Sequence, residues 1–175
     1  VVIAPPATDA LHPAFNNLFV QTEIVQERRA ILCTRRPRSG GEQAPWMLHL
    51  VAVHGAEVSA VSYETDRLRF VGRARNTAAP LAMIEPAPLS GTAGSVLDPI
   101  VAIRYRLMLD PEQTATVDMV SGIAESREMA LGLIDKYQDR HLADRVFDLT
   151  WTHSQVVLRQ LNASESDAQL HARLA

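Results

Sequence analysis

The sequence contains a single cysteine, few aromatic residues and no long apolar run. Only Cys33 among the 175 residues is a cysteine, so no internal disulfide can form and we expect a reducing compartment. The longest apolar candidate, residues 46–53, includes His49 and falls short of the ~18 residues that a membrane-spanning helix needs. The net charge of −3 provides no broad positive field for nucleic acid. We therefore expect this segment to lie outside the membrane and to have no nucleic-acid partner.

The usual signatures of metal, phosphate and nucleophile sites are also absent from the sequence. The six histidines are scattered, without the HxH, HExxH or CxxC spacings that bind metal ions. The segment Gly91-Thr92-Ala93-Gly94 has no lysine and no strand-to-helix context, so we interpret it as an ordinary flexible loop. Cys33 has no adjacent histidine and follows a strand pattern, which favours a packed thiol over a nucleophile. The sequence thus predicts neither a metal nor a cofactor.

Proline and glycine become scarce in the last part of the chain. All ten prolines lie at or before Pro111, and only Gly122 and Gly132 follow it. These residues punctuate strands and turns, whereas their absence permits long helices. We therefore predict an antiparallel β-sandwich at residues 1–124, a helical linker at 125–161 and an unassigned tail at 162–175. Because the chain opens on Val1 without a signal-peptide pattern, we expect a segment of a longer protein, with the sandwich truncated at its N-terminus.

Alternating apolar residues predict several antiparallel strands. Three hairpins are expected, pairing 18–25 with 30–36, 46–53 with 57–63, and the two halves of 100–121. In the last hairpin, Val101 and Ile103 share one face of the strand, and Arg104 and Arg106 share the other. Residues 1–4 and 67–71 are shorter strand candidates. Strands joined by polar turns without intervening helices are typical of a sandwich.

After residue 124 the apolar period lengthens from two to about 3.6, which indicates helices. Ser126 occupies an N-cap position, followed by an apolar stripe of Met129, Ala130, Leu133, Ile134 and Tyr137. A second helix fits residues 139–161, with one line formed by Leu142, Val146, Leu149, His153, Val156 and Gln160. Helices this apolar need a neighbour, either the sandwich or another domain.

One polar segment, residues 63–75, contains two acids, four arginines, Tyr63 and Phe70. Carbohydrate recognition combines bidentate polar groups with aromatic faces. The candidate carbohydrate-binding residues are therefore Tyr63, Glu64, Asp66, Arg67, Arg73 and Arg75. A salt-bridged connection between strands would use the same residues, and we predict mainly structural roles for Asp66 and Arg67. On a regular strand, Glu64 and Asp66 would point to one face.

Several motifs together resemble the phosphorylase-like region of cyclic β-1,2-glucan synthases. They cover almost the whole chain and comprise His12-Pro13-Ala14-Phe15-Asn16-Asn17-Leu18-Phe19-Val20-Gln21-Thr22-Glu23, Arg35-Arg36-Pro37-Arg38, Tyr63-Glu64-Thr65-Asp66-Arg67, Phe70-Val71-Gly72-Arg73, Leu89-Ser90-Gly91-Thr92, Leu97-Asp98-Pro99-Ile100 and Ser126-Arg127-Glu128. Cellobiose and chitobiose phosphorylases share only the sparser Glu-Thr-Asp-Arg and Phe-x-Gly-Arg pattern. The synthase is therefore the more specific match.

The resemblance implies a large inner-membrane enzyme that makes cyclic glucans from UDP-glucose. Its phosphorylase-like module, on the cytoplasmic side, would comprise a β-supersandwich, a helical linker and an (α/α)6 barrel that holds the general acid. This chain resembles the latter part of the sandwich plus the linker. No catalytic residue of the family can therefore be carried onto a position of this sequence.

From this resemblance we expect an accessory, carbohydrate-associated sandwich domain that supports a glycan phosphorylase-like active site in the barrel. The alternative is an autonomous β-glucan-binding module, although an aromatic content of only 5% weakens it. The expected partners are the barrel domain, possible β-glucan, and a second copy of the chain. The homodimer would bury an edge strand or the face around Leu149, Trp151 and Val156.

Overall fold

Two antiparallel sheets followed by helices make up residues 17–37 and 40–174, which are the residues that the computed structural model describes. The elements are β1 (Val20–Val25), a 3-10 turn (Gln26–Arg28), β2 (Ala30–Arg35), β3 (Trp46–His54), β4 (Glu57–Asp66), α1 (Arg67–Val71), α2 (Leu81–Ile84), β5 (Gly94–Ser95), β6 (Pro99–Met108), β7 (Thr116–Ala124), α3 (Arg127–Tyr137), α4 (Arg140–Gln160) and α5 (Glu165–Leu174). The predicted fold class is confirmed. The strand expected at residues 1–4 lies outside the described residues.

The strands form a large sheet in the order β5-β1-β2-β3-β7 and a small sheet of β4 and β6. The predicted hairpin of β1 and β2 is confirmed, with Val25 opposite Ala30. Arg29 closes its turn in the left-handed region at φ 50°, and its N–H donates to the carbonyl of Gln26. This hairpin could be predicted because its turn and its pairing are both local.

The other two predicted hairpins are wrong. Strand β3 pairs with β2 and β7, and β4 pairs with β6, so each expected hairpin is split between the two sheets. Between β3 and β4, Gly55 adopts φ +81°, and a Cβ there would lie 2.5 Å from the carbonyl oxygen of Thr114. Alternation reports which residues share a face, but it does not identify the neighbouring strand. The short turn at Gly55 therefore carries the chain across the sandwich.

Residues 67–71, expected to be a short strand, form helix α1 instead. The carboxylate of Asp66 accepts a hydrogen bond of 2.8 Å from the backbone N–H of Leu68. This is N-cap geometry, which satisfies a donor that the first helical turn leaves without a partner. The capping side chain thus overrides the strand propensity of Phe70 and Val71.

An inter-sheet core joins the large sheet to the small sheet. Val20, Ile31 and Cys33 are buried there against Tyr63, with Val101 and Ile103 of β6 packed beside them. The hydroxyl of Tyr105 donates to the carbonyl of Val51 at 2.6 Å. On the opposite face of β6, Arg104 and Arg106 donate to backbone carbonyls of residues 85–87. The predicted division of faces along β6 is confirmed.

Helix α3 covers the other face of the large sheet. Ala130 and Ile134 are fully buried against Leu32, Leu48 and Leu50. The predicted N-cap is confirmed, since the hydroxyl of Ser126 accepts from the N–H of Met129.

Polar contacts tie both ends of α3 to the hairpin of β1 and β2. Arg127 pairs with Glu23, and Arg28 lies 2.7 Å from the carboxylate of Asp135. The side chain of Gln138 also donates to the backbone carbonyl of Arg28. By its contacts, the first compact unit of the chain ends at Gln138 and a second begins at Asp139. Helix α3 therefore belongs with the sheets in this division.

The second unit contains α4 and α5. Asp139 caps α4 by accepting from the N–H of His141, and the predicted second helix is confirmed. Helix α5 lies in the segment that the sequence left unassigned, and Ser164 and Asp167 exchange capping hydrogen bonds at its start. None of the helices in the described part of the chain combines the length and apolar character that crossing a membrane requires.

Candidate functional site

Two of the six predicted carbohydrate-binding residues, Tyr63 and Glu64, lie in the interior. Tyr63 is 7% exposed within the inter-sheet core, and burial raises the pKa of its phenol. Glu64 is 2% exposed. One of its oxygens accepts hydrogen bonds of 2.9 Å from the N–H groups of Thr65 and Asp66, and the other accepts from the hydroxyl of Ser90. The hydrogen bonds of Glu64 therefore connect the end of β4 to the loop that precedes β5.

Glu64 and Asp66 do not act as a carboxylate pair. A register shift interrupts β4 between them, since Glu64 is opposite Ala102 and Asp66 is opposite Pro99. Their carboxylates also have different partners, because Asp66 caps α1 and lies 3.9 Å from Arg69. Because each carboxylate has its own partners within the protein, the shared face expected for a regular strand does not produce a carboxylate pair.

Residues 91–94, interpreted from the sequence as a flexible loop, are hydrogen-bonded to both sheets. Thr65 is fully buried, and its hydroxyl lies 2.6 Å from that of Thr22 and donates to the carbonyl of Thr92 at 2.7 Å. Thr22 also accepts from the N–H of Gly94. The flexible interpretation is therefore corrected: buried hydroxyls, which carry no sequence signature, fix the loop.

The four remaining candidates lie nearer the surface, and only Arg67 and Arg75 come together, in a cleft of about 430 Å³ that Asp98 also lines. Arg67 is 3.2 Å from Asp98 in a half-exposed ion pair, which is the kind of contact that the structural interpretation predicts. Arg73 and Arg75 are exposed. The structure thus places the predicted residues in the core, at the start of α1, in this cleft and at the surface.

A different group of polar and aromatic side chains, which sequence reasoning missed, meets at one end of the large sheet. Gln21 is opposite Thr34, Thr34 is opposite Trp46, and Trp46 is opposite Ala124. These four residues form one row across β1, β2, β3 and β7, on the face that α3 covers further along. Three of them, Gln21, Thr34 and Trp46, form the floor of a cleft of about 570 Å³, here called the Trp46 cleft.

The walls of the Trp46 cleft contain both signs of charge. They are formed by Arg35, Arg36, Pro37, Gln43, Ala44, Glu125, Ser126, Arg127 and Glu128. Arg35 is 5% exposed, with its guanidinium 3.5 Å from Glu42. Arg127 donates to both oxygens of Glu23, and this bond holds the pKa of the Glu23 carboxyl below its usual value. The one signal available in the sequence was Trp46 at the start of a predicted strand.

The buried cysteine has the environment of a packing residue. Cys33 borders an apolar cavity of about 350 Å³ between the sheets, together with Val20, Met47 and Val101. Burial raises the pKa of its thiol to about 11, which disfavours the reactive thiolate. The prediction of a packed thiol is therefore supported by the thiol's position and by its pKa.

This arrangement is that of a β-sandwich domain with a helix on the outer face of its larger sheet and further helices at its carboxyl end. The sequence matches the family described as "Glycosyl hydrolase 94, supersandwich domain" over residues 1–140. The chain belongs to this family. It is also 32% identical over 167 residues to "Cyclic beta-(1,2)-glucan synthase NdvB" of Rhizobium meliloti (strain 1021), which confirms the resemblance seen in its motifs. The match covers 95% of this chain and 6% of that protein.

Proposed function

We propose that this chain is an accessory domain of a cyclic β-1,2-glucan synthase. It supports a glycan phosphorylase-like active site that lies in a separate helical barrel of the parent protein. The observation that carries this proposal is the match of 95% of the chain to a protein named as such a synthase. In this proposal the parent protein is bound to the inner membrane, and the domain lies on its cytoplasmic face.

The chemistry of the described residues favours a supporting role. Cleavage of a glycosidic bond requires two suitably placed carboxyl groups, or one acid together with a phosphate nucleophile. Glu64 is buried and accepts three hydrogen bonds, and Asp66 caps a helix. Both carboxylates of the most acidic motif therefore have structural partners. The general acid of the proposed reaction would come from the barrel.

Helix α4 is the surface that we propose for contact with the barrel. It exposes Phe147 and Trp151, which are four residues apart and share one side of the helix, and Leu149 on another side. Large exposed apolar patches mark interaction sites in soluble proteins. A neighbouring helical domain would remove these side chains from water.

The test of the accessory role compares the isolated chain with the parent synthase in a phosphorolysis assay on β-1,2-glucan. We expect the isolated chain to release no glucose 1-phosphate. In the parent, Trp151→Asp should lower the activity, whereas Arg145→Gln, an exposed substitution on the opposite side of α4, should leave it unchanged. Turnover that copurifies with the isolated chain, or equal activity of the Trp151→Asp parent, would overturn the proposal.

We also propose that the isolated chain forms a homodimer through β7. This strand lies at the edge of the large sheet and exposes Val117, Met119 and Ile123. An exposed apolar edge is a template for pairing with another strand. Sedimentation equilibrium should give a dimer mass in the micromolar range, and Met119→Lys should shift it to a monomer. A monomeric mass at about 100 μM, far above the Kd of a dimer stabilised by roughly 8 kcal/mol, would contradict the proposal.

An autonomous β-glucan-binding module remains the second candidate function. The Trp46 cleft favours it, because it places an indole beside amide, hydroxyl and charged groups. Direct titration with glucan separates this function from a purely supporting one.

A further inference from the structure

We propose that the Trp46 cleft binds a neutral saccharide, with the indole of Trp46 as the stacking platform. This inference rests on the proposed function for its choice of glycan, because an accessory domain of a glucan synthase would meet β-1,2-linked glucose. It places the site at the end of the large sheet, away from the polar segment 63–75 that the sequence singled out.

The floor of the cleft has the chemistry that a sugar ring requires. Within the row, Trp46 is only partly buried, and it is flanked on β2 by Thr34, beyond which lies Gln21 on β1. An aromatic face packs against the C–H face of a pyranose, while amides and hydroxyls bond to its oxygens. The hydroxyl of Thr34 donates to the carbonyl of Pro45, which holds it beside the indole.

The row borders the core of the same sheet face, since Ala124 belongs to that core and one part of Trp46 packs against it. Farther along the same strands, the row of Val25, Ala30, Leu50 and Val120 is apolar and packs against α3. Helix α3 begins at Arg127, beside the cleft. The face thus changes from an apolar surface under the helix to a polar and aromatic one where the helix starts.

The charges of the walls favour a neutral ligand over an anion. Three arginines line the cleft, but Glu125 and Glu128 line it as well. Two of the arginines also have carboxylate neighbours outside the lining, since Arg35 lies beside Glu42 and Arg127 beside Glu23. A phosphate would meet these carboxylates as like charges. A polyhydroxylated neutral ligand can instead donate to the carboxylates and accept from the guanidinium groups.

The cleft also has the dimensions of a ligand site. Its volume of about 570 Å³ lies within the range of roughly 300–1,000 Å³ that is usual for small-molecule pockets. The site draws on three adjacent strands and the start of a helix, so its floor belongs to the hydrogen-bonded framework of the large sheet. A preformed floor lowers the ordering cost of binding.

The test uses the fact that the chain has two tryptophans, Trp46 and Trp151. In Trp151→Phe, the remaining indole reports only on the cleft. Titration of this variant with linear β-1,2-gluco-oligosaccharides should change the fluorescence of Trp46. In the matched Trp46→Phe variant the indole of Trp151 should show no saturable change. Inorganic phosphate and glucose 1-phosphate at the same concentrations should leave Trp46 unaffected, and a stronger response to either would overturn the choice of a neutral ligand.

Calorimetric titration supplies the affinities. We expect Trp46→Ala to weaken binding about tenfold or more, as loss of an aromatic platform does, and Gln21→Ala to weaken it several-fold. If Trp46→Ala fails to fold, as judged by circular dichroism, Gln21→Ala and the fluorescence of Trp151→Phe decide the question. Two results would overturn this site. One is an unchanged affinity of Gln21→Ala together with no fluorescence change of Trp46 in Trp151→Phe. The other is loss of binding in Arg75→Ala. Absence of binding overturns this inference alone, because the accessory role is judged by the activity of the parent.

Discussion

Segment 63–75 and the Trp46 cleft contain similar residue types, and the structure uses them in opposite ways. In the segment, the aromatic ring of Tyr63 and the carboxylate of Glu64 are buried and have internal partners. In the cleft, the indole of Trp46 is partly exposed, and charged groups surround an open volume. The difference shows that a residue composition typical of carbohydrate-binding sites does not by itself identify such a site. What distinguishes the two regions is whether the aromatic ring and the polar groups beside it are buried or border an open volume.

The strongest way to test this comparison is to remove the carboxylate of Glu64. Glu64→Ala leaves the N–H groups of Thr65 and Asp66 and the hydroxyl of Ser90 without their acceptor. We expect a loss of about 3 kcal/mol in the free energy of unfolding, because buried donors keep their desolvation penalty. Urea unfolding measures it. Glu64→Gln, which keeps one acceptor oxygen, should lose less stability. Equal stability of Glu64→Ala and the unsubstituted chain would refute the structural role of this carboxylate.

A smaller loss of stability is expected when the hydroxyl of Thr65 is removed. Thr65→Val removes the hydroxyl that bonds to Thr22 and to the carbonyl of Thr92 inside the protein. The free energy of unfolding should fall by about 1.5 kcal/mol. Thr65→Ser retains the hydroxyl and serves as the control. Hydrogen exchange at Gly94, whose N–H bonds to Thr22, should speed up in Thr65→Val but not in the control.

The cap of α1 tests the comparison at the surface of the segment. Asp66→Ala removes the acceptor for the N–H of Leu68 and should cost about 1 kcal/mol, seen as a lower Tm. Asp66→Ala should not change the binding of gluco-oligosaccharide. The control Asp66→Asn keeps an acceptor oxygen and should retain most of the stability. An unchanged Tm with lost glycan affinity would reverse the assignment of the two regions.

The smallest effect is expected at the wall of the cleft, where Glu23 pairs with Arg127. This bond lowers the folded-state pKa of Glu23, so its stabilisation is present above the unfolded value of 4.5 and is lost as pH falls through the folded value. Glu23→Gln should therefore cost a few tenths of a kcal/mol at pH 7, because the pair is substantially exposed. As pH falls through the folded-state pKa of Glu23, the urea midpoints of Glu23→Gln and of the unsubstituted chain should converge. A difference in urea midpoints that persists below the folded-state pKa would show that Glu23 stabilises the protein by packing and not by its charge.

The elements that the sequence predicted well are those whose cause is local. The hairpin of β1 and β2, the faces of β6 and the N-cap at Ser126 depend on alternation, a tight turn and a capping hydroxyl. The pairing of β3 with β7 depends on residues such as Val51 and Met119, which are far apart in the chain. No local pattern encodes that choice, because either neighbour would bury the same apolar face.

The candidate sites show the same contrast between local and long-range causes. Residue types and their motifs indicated the family, and the match over residues 1–140 confirms it. The sequence could not show that Glu64 is buried, since the donors that neutralise its cost include Ser90 on a loop that follows α2. It could not show the Trp46 cleft either, because Gln21, Thr34 and Trp46 become neighbours only through strand register.

The sequence by itself determined that the long helices follow the strands, the family, and the faces of individual elements. These follow from turn residues, from periods of two and about 3.6, and from motifs that are contiguous in the chain. Only the tertiary structure decided which strands pair, which polar groups are buried, and which aromatic ring remains available at the surface. The physical reason is that burial and hydrogen-bond satisfaction are properties of the packed chain, in which residues as distant as Gln21 and Arg127 line one cleft.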